Sequence, residues 1–390
     1  MATNLRILHC LRAPVGGLFR HVVDLARAQV AAGCAVGIIA DELTGGDGAA
    51  ARLREIAPEL ALGVTRVRMP RGFGLTDVTA LLATGALAGR LKADVLHGHG
   101  AKGGAYARWA GHTLRQAGRP IRVFYTPHGG SLHFEPRSPQ GLLFLGLERR
   151  LARLTDGLIF ESKYSRQVYE AKVGKPSCPV RVVPNGLLPS DFVSHQPSPG
   201  ASDVVFVGEL RKLKGVDVLL EALARTTSPR PPTAVIVGSG PDEVEFKAQA
   251  QSLGLESRVR FAGSMPVSAA FPLGQVLVVP SRAESFPYIV LEGAAAEIPM
   301  LLSNVGGIPE ITRGTNTRLL EPADAAALSH RLAEFMADPA PLRATATALM
   351  RRVASHFTVA RMAGDILRFY ELLPPQIAAG RVAGKMLQNS

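Results

Sequence analysis

Val276-Leu277-Val278-Val279 runs directly into Pro280-Ser281-Arg282-Ala283-Glu284-Ser285-Phe286-Pro287-Tyr288-Ile289-Val290-Leu291-Glu292, and the architecture is legible in that junction. Consecutive apolar residues rich in valine predict a strand covered on both faces. The residues that follow change to a helical pattern, and Pro287 is expected in its first turn, where a missing N–H costs the helix nothing. A covered strand passing through a short loop into a helix is half of a βαβ unit.

The same event recurs in both directions. Strands are predicted at Arg6–Cys10, Val36–Ala40, Val64–Val67, Val95–His97, Val123–Tyr125, Gly157–Phe160 and Val180–Val183, then at Val204–Val207, Ala234–Val237, Val259–Ala262, Val276–Val279, Met300–Leu302 and Arg318–Leu320. Helical patterns separate them, so the fold class is α/β with two Rossmann-like, doubly wound parallel sheets. A length of 390 residues agrees with two domains. The Pro- and Ser-rich stretch Ser194-His195-Gln196-Pro197-Ser198-Pro199-Gly200 is the expected linker. It divides the chain into a domain over 1–193, a linker over 194–202, and a domain over 203–356. The remainder, 357–390, is expected to hold a helix over Phe357–Leu373 that crosses back to the first domain, then a tail frayed over Arg381–Ser390. Two doubly wound sheets would present their ligand-binding strand ends to one interdomain cleft, an arrangement that serves several enzyme classes.

Composition narrows the classes. Hydrophobic residues at 47% and charged ones at 19% exclude a disordered chain. No apolar run reaches the roughly 18 residues that span a bilayer, and Met1–Leu11 has no leader character, so a cytoplasmic chain is expected. The three cysteines, Cys10, Cys34 and Cys178, have no zinc-site spacing and read as buried thiols.

The net charge of +12 is uneven: residues 1–190 hold 25 Lys and Arg against 13 Asp and Glu, and residues 191–390 hold 19 of each. A basic half suggests an anionic partner. Nucleic acid is disfavoured, because aromatics are only 6% and no basic stripe interleaves with them. An anionic membrane surface fits two stretches better, Lys102–Arg115 and Leu142–Leu154, which mix Trp109, Leu143, Phe144, Leu145 and Leu147 with Arg108, Arg115, Arg149, Arg150 and Arg153. Helices facing their own core with arginines in water read the same way.

Glycines and charges cluster where strands should end. Gly16 and Gly17 open a helix after the first strand, without the GxGxxG spacing of a nicotinamide site. His97-Gly98-His99-Gly100 and Thr126-Pro127-His128-Gly129-Gly130 close two further strands. Histidine there can donate to a sugar hydroxyl, while His97 and His99 read as packing residues and His128 equally as a turn residue. No Asp, Glu or Cys accompanies these pairs at ligand spacing, so no metal is expected. Gly208-Glu209-Leu210-Arg211-Lys212-Leu213-Lys214-Gly215 brings cations to a helix N-terminus, as phosphate recognition requires, and Gly238-Ser239-Gly240 adds another turn. Glu284 falls on a loop and Glu292 eight residues later inside a helix, so that one carboxylate can accept from sugar hydroxyls while the other takes a ribose diol. Two surface glutamates would show the same spacing.

Taken together these residues resemble the retaining glycosyltransferases of family 4, which have the GT-B architecture. The Glu284-to-Glu292 motif carries most of the resemblance, supported by Lys214-Gly215, Gly238-Ser239-Gly240-Pro241, Gly306-Gly307-Ile308-Pro309-Glu310, Pro184-Asn185-Gly186 and Thr126-Pro127-His128-Gly129. The resemblance implies a nucleotide-sugar donor, UDP- or GDP-linked, on the C-terminal domain and a glycan or lipid-linked acceptor on the N-terminal one. It implies catalytic roles for His128, Lys214, Arg211 and Glu284. Donor contacts would come from Gly16, Gly17, Gly208, Gly238, Gly240, Ser285, Phe286, Pro287, Tyr288 and Glu292. It further implies no cofactor and no metal, and a role in cell-surface polysaccharide or glycolipid synthesis; the basic first half adds the inner face of the cytoplasmic membrane to the cytoplasm as an expected location. Two positions depart from the family pattern. Glu209 stands where arginine is common, so that role passes to Arg211, and Pro287 stands where glycine is usual and removes a backbone donor. A nucleotide-sugar epimerase and a non-catalytic nucleotide-sugar-binding module are the competing readings.

Overall fold

A computed structural model describes residues 4–70, 72 and 74–375. The chain forms two compact units, one of residues 1–184 with 359–390 and one of 185–358.

In the first unit the strands are β1 (Arg6–Leu11), β2 (Ala35–Asp41), β3 (Gly63–Val67), β4 (Val95–His99), β5 (Arg122–Thr126), β6 (Gly157–Phe160) and β7 (Val180–Val182). They form one sheet in the order β3-β2-β1-β4-β5-β6-β7, with every pairing parallel. The second unit holds β8 (Ser202–Val207), β9 (Ala234–Val237), β10 (Val259–Gly263), β11 (Gly274–Val279), β12 (Met300–Ser303) and β13 (Leu319–Leu320), ordered β10-β9-β8-β11-β12-β13 and again parallel. These are the strands and the doubly wound topology expected from the apolar runs.

Parallel strands need helical crossovers, and those crossovers bury both sheet faces. Leu8, Cys10, Ile39 and Leu96 pack under helices on one face of the first sheet. Val204, Phe206, Ile236, Val276 and Val278 lie in one core of the second unit, and Val205, Val235, Val237, Leu277 and Val279 in another. In each sheet the order reverses at one place, between β1 and β4 and between β8 and β11, and the loops leaving those strands part to opposite faces.

The C-terminal helix, Val359–Leu372, belongs to the first unit. Its Tyr370 lies beside Phe124, and its Tyr370 carbonyl accepts from Arg122 at 2.8 Å. The expected linker Ser194–Gly200 lies within the second unit, where the His195 and Ser198 amides donate to the Ala296 and Pro272 carbonyls. The Arg381–Ser390 tail is outside the described residues. Cys10 and Cys34 are buried, whereas Cys178 is half-buried. Burial pushes the Cys10 thiol up to about 12, an inert group.

Candidate active site

In the second unit the loops after β8, β9, β11 and β12 lie against one another. Gly238 has φ +141°, and a Cβ there would stand 1.8 Å from the Gly208 carbonyl oxygen. No other residue fits that contact. The Leu210 amide donates to the Ser239 carbonyl at 3.0 Å, the Asp242 amide to the Leu210 carbonyl at 3.1 Å, and the Lys212 amide to Asp242 Oδ2 at 2.7 Å. The expected phosphate loop is thus laced to its neighbour through backbone.

Lys214 ends a short turn that leads into the helix Val216–Arg225. Its Nζ lies 2.7 Å from Glu284 Oε1, which also accepts from Ser281 Oγ at 2.8 Å. Glu284 is buried on the loop after β11, and its carbonyl is covered by Gly306, whose φ is +61° and where a Cβ would come within 1.8 Å. Arg282 ties the two loops together, gripping Asp217 through both guanidinium nitrogens at 2.7 and 2.6 Å and donating to the Lys212 carbonyl. Asp217 holds the Arg282 guanidinium above its ordinary range by hydrogen bonding. The helix Tyr288–Ala295 follows, carrying half-buried Glu292 on its second turn. Pro287 sits at the position before the helix, one residue earlier than expected, with φ −73° and ψ 124°. An ammonium and a carboxylate in contact beside a helix N-terminus can divide a phosphate-linked sugar between them.

In the first unit, histidines converge at the ends of β1, β4 and β5. His9 on β1 pairs in register with His97 on β4, beside His99. His21 arrives from the helix Gly16–Ala31 and His128 from the turn after β5, their rings 4.9 Å apart edge to face. Burial drives His9 down to about 4 and His97 and His99 well below the usual imidazole range, so these rings are neutral. Two trios, His9 with His97 and His99, and His21 with His99 and His128, place their ring nitrogens within 4.8 Å of one another. His128 occupies left-handed backbone, φ +50°, at the start of a turn continued by Gly129 and Gly130. Its Nδ1 lies 2.5 Å from Glu161 Oε1 at the end of β6. Burial works to raise the Glu161 carboxyl, and the adjacent His128 more than offsets it and holds the group below its ordinary range.

Of the residues expected at the site, Lys214 and Glu284 touch, and Gly208, Gly238 and Gly240 hold the loops around them, Gly240 lying against the Leu210 carbonyl. Ser285 is half-buried between Glu284 and Phe286. The Phe286 and Tyr288 side chains turn into the core, Phe286 packing edge to face on Phe357, so what Phe286 offers outward is backbone, already engaged by Asn185 Nδ2 at 2.9 Å. Arg211 forms a half-exposed pair with Glu209 at 3.3 Å. Gly16 and Gly17 form the exposed first turn of their helix. The His128 ring points inward, its side chain only 6% exposed. Arg108 is buried against Glu148 at 2.8 Å and Arg115 against Asp156, so neither belongs to a solvent-facing basic stripe. Trp109, Leu142 and Leu143 are exposed.

Sequence reading missed His9, His21, Gln29 and Glu161. A histidine inside an apolar run reads as core, and Glu161 is brought to the histidines by the pairing of β5 with β6, not by spacing along the chain. Among the described residues no helix is long and apolar enough to cross a membrane.

Two family models divide the chain between them: glycosyltransferase family 4 over residues 15–190 and glycosyl transferases group 1 over 190–350. The 2-deoxystreptamine glucosyltransferase of Streptomyces kanamyceticus is 27% identical over 369 residues, covering 86% of this chain and 95% of that one. The Mycobacterium tuberculosis glycogen synthase is 29% identical over 218 residues, 54% of this chain, and the match spans about half of that relative, 53%. Among solved structures, the sucrose-phosphate synthase of Thermosynechococcus elongatus superposes with a TM-score of 0.78 at 21% identity over 94% of this chain and 98% of that one. Anabaena HepE in complex with UDP-glucose superposes with a TM-score of 0.76 at 19% identity over 95% of this chain and all (100%) of that one. These likenesses, with two parallel-sheet units of seven and six strands, establish the GT-B fold, and the chain belongs to the group 1, family 4 glycosyltransferases, a family of transferase enzymes.

Proposed function

We propose that the protein is a retaining glycosyltransferase that moves a sugar from a UDP- or GDP-sugar to a hydroxyl of a glycan or lipid-linked acceptor, in the synthesis of cell-surface polysaccharide or glycolipid. The contact between Lys214 and Glu284 at the β8/β11 reversal carries this reading. Lys214, with Arg211 beside it, binds the diphosphate; Glu284 accepts from hydroxyls of the donor sugar; Glu292 takes the ribose. Anabaena HepE, solved with UDP and with UDP-glucose, supports a donor of this class.

The bond between the anomeric carbon and the phosphate oxygen breaks, and the acceptor oxygen bonds to the same carbon from the face the diphosphate leaves. The acceptor proton passes to the departing phosphate oxygen, whose charge is met by Lys214 and the N-terminus of the helix Tyr288–Ala295. Cationic side chains and a helix end do here what a divalent ion does elsewhere, so turnover is expected to survive chelation. The N-terminal unit, rich in Lys and Arg, meets an anionic acceptor or a membrane surface.

Melting temperature measured with UDP, GDP, ADP and their sugar conjugates tests the donor. A ligand at 100 times its Kd stabilises by about 2.7 kcal/mol. A shift with one nucleotide that disappears in Lys214→Ala and Glu292→Ala is the expected result; no shift with any of them, and no sugar transfer or hydrolysis, would remove the reading.

A further inference from the structure

A continuous chain of hydrogen-bond partners crosses the first unit. Gln29 Oε1 lies 2.8 Å from His9 Nε2, His9 Nδ1 lies 3.0 Å from His99 Nε2, His99 Nδ1 lies 3.1 Å from His128 Nε2, and His128 Nδ1 lies 2.5 Å from Glu161 Oε1. Both ends are oxygen acceptors. Each link holds one proton, and a neutral imidazole supplies one. Four links joined by three imidazoles are therefore one proton short.

The ends and the carboxylate together place the deficit. Gln29 Oε1 takes the proton of His9 Nε2, so His9 Nδ1 is a lone pair; Glu161 takes the proton of His128 Nδ1, so His128 Nε2 is a lone pair as well. His99, with one proton, can donate from Nε2 to His9 or from Nδ1 to His128 but not both, so one of the two links sets lone pair against lone pair. An added proton is held best on the ring that touches a carboxylate, which is His128 beside Glu161, whereas burial keeps His9 and His99 neutral; His99 then donates to His9, and the link to be filled is the 3.1 Å one between His99 Nδ1 and His128 Nε2. We propose that a bound proton fills this gap, making His128 an imidazolium that donates from Nδ1 to Glu161 and from Nε2 to His99, with Gln29, His9, His99 and Glu161 acting as positioning residues that hold it in that state.

The surroundings agree. Glu161 is 2% exposed, and its Oε2 has no partner among the described residues, so the buried carboxylate needs a cation at its other oxygen. Burial keeps His99 neutral, the form in which it can accept. The groups facing His128 are His21 from the helix Gly16–Ala31, His99 from β4 and Glu161 from β6; behind them stand His9 from β1, His97 from β4 and Tyr370 from the C-terminal helix, whose hydroxyl lies 2.6 Å from His97 Nδ1. Fixed at both nitrogens, the ring anchors the turn over His128, Gly129 and Gly130, where φ is +50°, +77° and +33°. Loss of the proton puts lone pair against lone pair and loosens that turn. Its bearing on transfer rests on the glycosyltransferase reading above; the protonation does not.

The test is side-chain proton–nitrogen correlation NMR on the full chain labelled at histidine, at about pH 7.5, where a free imidazole is mostly neutral. The His128 ring, assigned by its loss in His128→Asn, is expected to carry both protons. Gln29→Leu removes one terminal acceptor and leaves three links for three protons, so His128 is expected to lose its extra proton although Gln29 does not touch it. Gln29→Glu retains an acceptor and is expected to keep it. A neutral His128 in the parent chain, meaning that the Gln29 amide donates to His9, overturns the proposal. So does an imidazolium indifferent to Gln29→Leu, or a stoichiometric transition metal found by elemental mass spectrometry. Should Gln29→Leu fail to fold, the parent spectrum and Gln29→Glu still decide. In the transfer assay, Gln29→Leu should raise KM at neutral pH more than it lowers kcat. An inactive parent with the imidazolium spectrum would count against the transferase reading alone.

Discussion

Lys214 is already bonded to a carboxylate, so if it binds the diphosphate as proposed, the two residues of the pair should respond differently to mutation. Lys214→Ala removes a charge-assisted hydrogen bond worth about 1.5–3 kcal/mol and should weaken nucleoside diphosphate binding by about 10- to 100-fold in calorimetry. Glu284→Gln removes the negative charge beside Lys214, so binding of the bare nucleoside diphosphate should tighten while sugar transfer falls; weaker binding of both would mean that Glu284 only positions Lys214. Away from the site, Glu148→Ala strands the buried Arg108 charge and should cost about 3–5 kcal/mol in urea unfolding of the first unit. The double change Arg108→Met with Glu148→Leu should cost less, because no buried charge is left without a partner. His9 adds a pH dependence with a definite sign. Its folded-state value, about 4, lies below the unfolded 6.5, so the unfolded chain takes up the proton first. The stabilisation is complete above about pH 6.5 and lost as pH falls toward 4, about 3 kcal/mol in all, and His9→Asn should flatten that limb of an acid melt.

At the scale of elements, glycines fix how closely the loops lie. Gly306→Ala places a methyl on the Glu284 carbonyl and should displace that loop, weakening donor binding. Gly314→Ala has a comparable positive φ and nothing within 4 Å, so its cost should be backbone strain of about 1–2 kcal/mol with binding unchanged. Equal loss of binding in both variants would show that stability, not the close approach, governs the site. Sequence reading did well where local pattern suffices. Every strand named in advance is present because continuous apolar runs bounded by turns leave few alternatives. The loop carrying Glu284 was legible for the same reason, lying between a buried strand and a helix. Direction of side chains was not. Phe286 and Tyr288 turn inward because the core beneath the helix Tyr288–Ala295 has room for them, and Arg108 does so because Glu148 lies across from it. The histidine chain depends on which strands become neighbours, and no local spacing encodes β1 beside β4.

For the whole molecule, the return of the C-terminal helix sharpens the charge asymmetry. The first unit carries 29 Lys and Arg against 15 Asp and Glu, and the second carries 15 against 17. If the basic unit meets a membrane, flotation with vesicles containing anionic lipid should capture the chain at low salt and release it at about 1 M, where the screening length falls to about 3 Å. Reversing the charge at exposed Arg149 and Arg150 should weaken capture, and indifference to lipid charge would dismiss the membrane as the anionic partner. The division of the chain also sets an order in time. Residues 1–184 leave the ribosome before 185–358, yet the Tyr370 that closes over His97 and Phe124 emerges only after all of 185–358 has been made. The second unit can therefore complete itself during synthesis while the first, though begun earlier, waits for the helix Val359–Leu372 to be made before its sheet is covered.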